Sequence, residues 1–326
     1  MKKEFNNSII FLRFIAIFFV VLGHSIIIYD YNWGLYATAR HSYIFYFIKQ
    51  IINIIQMPLW FSISGYLFYY TMSKKDLSKF KLFTDKLKRL MLPFLIIGIF
   101  YMLPIRMFAK YQNFLSNTIF YNIVHNIILG FDCGHLWYLP TLFFIFIMFS
   151  FYKPNCSFKT DFFLLVMLFL ISGFNSYFKY TYLINISSFA IIFFIGLLIN
   201  KYKLKTNIGI NYIIPLVLSL IVFSNINISN NIIYSFLYKS IQILFIVIIF
   251  RMDFSKFGKV KMINSISNKS YGIYLLHSPL IYISFCYYPN ISPIIMLFIN
   301  FIFFGGLCYF GSLILEKSRL KFIVGK

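Results

Sequence analysis

The chain has 326 residues, of which 60% are apolar and only 12% charged. A soluble domain carries about a quarter charged residues, so too little polar sequence is present to cover a water-facing surface, and soluble globular, fibrous and disordered classes are excluded. The net charge of +22 would suggest nucleic acid on a soluble protein. On a chain this apolar it is first a statement about membrane sidedness.

A membrane span needs roughly 20 mostly apolar residues. By that measure the sequence predicts an all-α, polytopic membrane protein of about ten helices, at 9–29, 43–72, 90–109, 136–152, 161–176, 183–200, 209–224, 231–250, 271–288 and 293–315. The N-terminal Lys2-Lys3-Glu4 and the apolar run behind it resemble a signal peptide. No small-x-small cleavage site follows, so the run reads as an uncleaved span. The stretch 114–130 is apolar but interrupted by Asn117, Asn122, His125 and Asn126, which predicts an interfacial or re-entrant helix.

With the N-terminus inside, most of the 30 Lys and Arg fall in 1–8, 73–89, 153–160, 201–208, 251–270 and 316–326. This alternation predicts an even number of spans with both termini cytoplasmic, in a single membrane domain over 1–326 with no separate soluble domain. The densest cluster is 73–89, with Lys74, Lys75, Lys79, Lys81, Lys86, Lys88 and Arg89. It serves orientation, contact with anionic lipid, or a polyanionic cytosolic ligand. Charge by itself does not choose among the three.

Ionisable residues inside apolar runs are costly and mark functional positions by default. Arg13, Lys49 and Lys239 fall in such runs, and the first span also carries His24. Arg13 and His24 are eleven residues apart, about three turns and ~20°, so both face one side of a helix, ~16 Å apart along it. Imidazole is the side chain best suited to general-base work near neutral pH. Snorkelling explains an Arg near a span end and explains His24 less well.

His135 follows Asp132 by three residues, an arrangement in which the carboxylate would orient the ring, beside the aromatic pair Trp137-Tyr138. Tyr274 and His277 are i, i+3 neighbours, with Pro279 next in line to kink the helix. His41 and His125 read as packing histidines. Cys133, Cys156, Cys286 and Cys308 have neither disulfide nor zinc spacing and read as apolar filler. No metal site is expected. The carboxylates sit at span ends or in loops, which argues against a carrier built on buried acids.

Five ordered motifs together resemble the integral-membrane acyltransferase-3 family. They are Arg13-x₁₀-His24; Met57-Pro58-Leu59-Trp60-Phe61-Ser62-Ile63-Ser64-Gly65; Lys86-Leu87-Lys88-Arg89 ahead of Pro93; Phe193-Phe194-Ile195-Gly196; and Ser270-Tyr271 to Tyr274-Leu275-Leu276-His277. The resemblance covers nearly the whole chain. One departure is Lys86, where the family usually has Arg; lysine keeps the charge but loses bidentate phosphate geometry. Some members also carry an extracytoplasmic hydrolase-like domain, which is not expected here, so the membrane domain would complete transfer itself or with another protein.

The resemblance implies transfer of an acyl group, commonly acetyl, from cytosolic acyl-CoA as co-substrate, with no tightly bound cofactor. The acceptor it implies is a hydroxyl of a cell-surface or lipid-linked carbohydrate at the bacterial cytoplasmic membrane. His24 then acts as general base, Arg13 holds a phosphate or the developing oxyanion, and Arg89, Lys86 and Lys88 bind the phosphates of acyl-CoA. His135, Trp137, Tyr274, His277 and Ser64 support the acceptor site. The partners implied are the carbohydrate, acyl-CoA, the bilayer and glycan-biosynthesis proteins, without nucleic acid. Trp33, Tyr36, Trp137 and Tyr138 suit stacking on sugar rings and a lipid-facing aromatic belt equally. The alternative function is a translocator of a polysaccharide or lipid-linked sugar, which would need neither His24 nor acyl-CoA.

Overall fold

A computed structural model describes residues 2–30, 33–74, 78–204, 218–219 and 232–325, with the side chains of 2–6 and 176 left aside. The described residues form helices joined by turns and irregular loops, without strands. The predicted span at 209–224 and Lys75 of the basic cluster lie largely or wholly outside them. The helices used below are α1 (Lys2–Ser25), α2 (Tyr43–Met72), α3 (Lys79–Phe108), α4 (Ile119–Ile128), α5 (Gly134–Phe149), α6 (Phe158–Gly173), α7 (Thr181–Lys201), α8 (Ile232–Arg251), α9 (Lys261–Tyr287) and α10 (Pro293–Lys317).

Among the described residues six segments are long and apolar enough to cross a membrane: Asn7–Ser25, α2, α3, α7, α8 and α10. The runs predicted at 136–152 and 161–176 form the shorter helices α5 and α6. The run at 271–288 is the second half of α9, whose first half is polar. The stretch 114–130 is broken into Gln112–Leu115 and α4, where Asn122 and Asn126 are buried and bonded to each other and to the Phe114 carbonyl. Several helices turn large apolar side chains outward, among them Phe162, Phe163, Met167 and Leu170 on α6 and Phe298, Phe303, Phe310 and Ile314 on α10. Apolar patches of this kind fit a hydrocarbon solvent and not water.

Prolines shape these helices. Pro93 and Pro104 in α3 each follow a widened turn, at Leu87–Met91 and Gly98–Met102. A proline brings no N–H and crowds the carbonyl four residues back, and the wide turn absorbs the strain. Pro93 therefore leaves the carbonyl of Arg89 without its usual donor, and Pro279 in α9 does the same for Leu275.

The chain divides into two compact units. The first comprises Met1–Ala16, Ile54–Thr84 and Thr141–Asn264. Its core is the close approach of α2 and α7. A Cβ added to Gly65 would collide with the Phe193 carbonyl, and one added to Gly196 with the Ser62 carbonyl. The Ser-Gly and Phe-Phe-x-Gly motifs thus meet backbone to backbone. Asn200 extends the seam with a 2.8 Å bond to the Tyr66 carbonyl. Nearby, the buried carboxylate of Asp161 accepts from Tyr152 (2.8 Å), Tyr202 (2.7 Å) and Lys201 (2.6 Å). Lys239 buries its ammonium against the Ser188 carbonyl (3.0 Å) and Gln242 (2.9 Å).

The second unit comprises Ile17–Asn53, Asp85–Pro140 and Ser265–Lys326. Ile26, Tyr29, Ile52, Ala109, Ile281, Tyr282, Phe285 and Met296 form its core, with Trp33 and Tyr36 packed against it. A polar thread ties three helices through that core: Ser284 donates to Asn300 at 2.5 Å, and Asn300 donates to the Ser25 carbonyl at 3.2 Å.

Candidate active site

Within the second unit α1, α5 and α9 bring three imidazoles together. The ring centroids of His24 and His277 are 4.9 Å apart, those of His277 and His135 5.2 Å, and those of His24 and His135 6.5 Å. Each ring is held by a main-chain carbonyl. His24 Nδ1 lies 2.8 Å from the Val20 oxygen one turn back on α1, and His277 Nδ1 lies 2.8 Å from that of Tyr274. His135 Nε2 lies 3.1 Å from the Leu275 oxygen, the carbonyl that Pro279 deprives of its helical donor. His277 is fully buried and His135 nearly so.

Tyrosines lock α9 against this cluster. Tyr274 donates to the His135 carbonyl, and Tyr101 donates to the Leu276 carbonyl at 2.8 Å. Tyr271, one turn earlier, donates to the Arg89 carbonyl at 2.6 Å, filling the position that Pro93 vacates. The late motif therefore touches both the basic segment and the histidines. The side chains of Lys88 and Arg89 are exposed beside a half-buried Lys86, free of the core and available to an anion. Trp137 is half-buried at the start of α5.

Asp132 does not orient His135. Its carboxylate accepts from Arg106 at 3.1 Å, Tyr111 at 2.8 Å and Asn113 at 3.1 Å. Arg106 is fully buried beneath the Tyr111, Phe114 and Tyr282 rings, and that buried charge claims the nearest carboxylate. The pair pins the turn before His135 instead. Gly134 has φ +54°, and a Cβ there would collide with the Arg106 guanidinium. The Asp132 partnership also keeps the Tyr111 phenol protonated well above its ordinary range, with burial as the larger cause.

Arg13 and Ser64 belong to the first unit. Arg13 is half-buried on α1, and Ser64 donates to the Trp60 carbonyl of its own helix at 2.9 Å. His125 does pack, stacked between Tyr121 and Phe131, whereas His41 is exposed. Sequence reasoning missed two contributors, Arg106 and Tyr101, and singled out Lys49, whose buried ammonium bonds Asn53, without giving it a role. Their signal was a polar side chain in an apolar run. Among the described residues no three His, Cys, Asp or Glu are placed to hold a metal ion.

A sequence model described as an acyltransferase domain matches residues 6–317, essentially the whole chain. The chain belongs to the acyltransferase-3 family. Comparison with curated proteins and with solved structures finds no match. As a member of that family with several apolar helices, the chain is a multi-pass membrane acyltransferase. The histidine cluster is the candidate for its chemistry, because it alone among the sites described collects general-base side chains from three helices.

Proposed function

We propose that this acyltransferase moves an acyl group, acetyl in the simplest case, from cytosolic acyl-CoA to a hydroxyl of a cell-surface or lipid-linked carbohydrate, with His24 as general base. The observation that carries the reading is the His24 ring. Its Nδ1 is engaged by the Val20 carbonyl, which leaves Nε2 with a lone pair to receive a proton. The acceptor O–H gives its proton to that nitrogen as its oxygen attacks the thioester carbonyl carbon. The C–O bond forms, the C–S bond breaks, and the departing thiolate takes up the proton.

The exposed Lys88 and Arg89, with Lys86, match the phosphates of coenzyme A by charge. Arg13, half-buried on α1, supplies a further cation for a phosphate. The charge alternation supports a bacterial cytoplasmic-membrane location with about ten spans and both termini inside. The experiment is incorporation of label from [¹⁴C]acetyl-CoA into glycans of membranes containing the chain. His24→Ala abolishes incorporation at unchanged protein level, and Arg89→Ala raises the apparent KM for acetyl-CoA. Label incorporated equally by His24→Ala sinks the mechanism. Sugar translocation without any label incorporation sinks the transferase assignment of the substrate pair.

A further inference from the structure

The three imidazoles carry more information than their proximity. A carbonyl oxygen only accepts, so a ring nitrogen facing one carries the proton. By that rule His24 and His277 are protonated on Nδ1, facing Val20 and Tyr274, and His135 on Nε2, facing Leu275. The nitrogens left over, Nε2 of His24, Nε2 of His277 and Nδ1 of His135, are lone-pair acceptors. Among the described residues His277 Nε2 and His135 Nδ1 are buried without any hydrogen-bond partner. A buried acceptor left unpaired is destabilising, and here two belong to rings that pack beside a third imidazole.

Several nearby donors are engaged elsewhere: the Tyr274 hydroxyl is given to the His135 carbonyl, Tyr101 to Leu276, one proton of the Lys49 ammonium to Asn53, and Arg106 Nη1 to Asp132, while Arg106 Nε is buried without a partner. Among the described residues nothing donates to His277 Nε2 or His135 Nδ1.

We propose that His24, His135 and His277 form a three-imidazole acceptor site that binds the O–H group undergoing acylation, and that His277 is a second catalytic residue contacting that hydroxyl. The inference rests on the acyl-transfer reading and deepens it. The reacting hydroxyl donates its one proton to His277 Nε2, which orients the O–H bond, and that proton shifts to His24 Nε2 as the oxygen attacks. When the proton moves to His24 Nε2, the new cation lies against the neutral lone pair of His277, which stabilises it without a carboxylate. The proton leaves with the thiolate, and all three rings return to their starting tautomers. A primary or secondary alcohol satisfies this site; an amine acceptor, protonated in water near neutral pH, does not supply the nucleophile it requires.

Two measurements on the full chain in detergent or nanodiscs test this. With [¹⁴C]acetyl-CoA and glycan-bearing membranes, His277→Ala and the milder His277→Gln each lower kcat by roughly 10²-fold or more while KM for acetyl-CoA is unchanged. The His24→Ala/His277→Ala double variant is no worse than the worse single, because the residues act as one unit. Added imidazole partly restores His277→Ala. Nitrogen-15 spectra of histidine-labelled protein, assigned by single His→Gln variants, show Nδ1–H for His24 and His277 and Nε2–H for His135. Wild-type kcat in both His277 variants, a loss confined to folded protein with kcat per folded molecule intact, or the opposite tautomers would each overturn the proposal. So would a stoichiometric metal ion that is lost in His277→Ala. If the wild-type chain transfers no label, the acyl-transfer reading has failed and this proposal with it; wild-type transfer that survives both His277 substitutions overturns this proposal alone.

Discussion

His135 donates its Nε2 proton to the carbonyl of Leu275 at 3.1 Å, across 140 residues of sequence. The bond exists because Pro279 has no N–H to offer that carbonyl. A residue that reads as a helix kink thus selects the tautomer of an imidazole on another helix, and with it the nitrogen left without a partner.

Pro279→Ala restores an N–H able to close the helical bond to Leu275 and to compete with His135. Loss of one such orienting bond is worth about 1 kcal/mol, so acyl transfer falls by roughly five- to tenfold, while helix stability is unchanged or rises. The check is turnover together with the nitrogen-15 signature of His135. A variant with normal turnover and an altered tautomer would separate the bond from catalysis.

The Arg106–Asp132 pair is stabilising only while both members are present. Asp132→Ala strands a fully buried guanidinium and costs about 3–5 kcal/mol, seen as a lower unfolding temperature in detergent. Arg106→Met combined with Asp132→Asn recovers much of that loss. Gly134→Ala costs about 1–3 kcal/mol through its left-handed backbone and further displaces Arg106. An Asp132→Ala protein as stable as the native one would contradict this.

Gly65→Ala and Gly196→Ala each force α2 and α7 apart, because the new methyl meets backbone that has no rotamer to move away. Overpacking of this kind costs about 1–3 kcal/mol. Gly306, where an added Cβ meets nothing within 4 Å, is the control. Gly306→Ala leaves thermal stability unchanged, and equal losses at all three positions would show that helix propensity and not contact is being measured.

The loop after α8 docks on α1 through Asp253. The Ser255 N–H at 2.8 Å holds the carboxyl below its ordinary value of 3.8, and the Ser8 hydroxyl at 3.4 Å adds to this. A depressed folded-state value means the stabilisation is full above the ordinary carboxylate pKa and is lost as pH falls through the folded one. Hydrogen exchange at Phe254 and Ser255, corrected for intrinsic rate, therefore accelerates as pH falls below the ordinary carboxylate value of 3.8. Asp253→Asn removes that dependence, and a native profile in the variant would assign it to another group.

Much of the molecule was legible before any tertiary contact. Arg13, His24 and the apolar run between them announced a helix with chemistry inside a membrane, since a charge or imidazole there has few inexpensive explanations. The motif order announced the family. The Gly65 and Gly196 motifs were visible too, but their meeting was not, because a glycine signals close approach without saying to what. Asp132 shows the limit most clearly. Its i, i+3 spacing to His135 was a reasonable local pairing, and a buried arginine 26 residues upstream outbid it.

By itself the sequence determined the solvent, the helical class and the residue types capable of the reaction. These follow from composition and from periodicities that act within a few turns of one segment. Only the tertiary structure decided which histidines meet, which carbonyl holds each ring and which ring nitrogen is left with its lone pair. Those outcomes depend on how α1, α5 and α9 pack, and on a backbone acceptor that a proline on a distant stretch of chain leaves open.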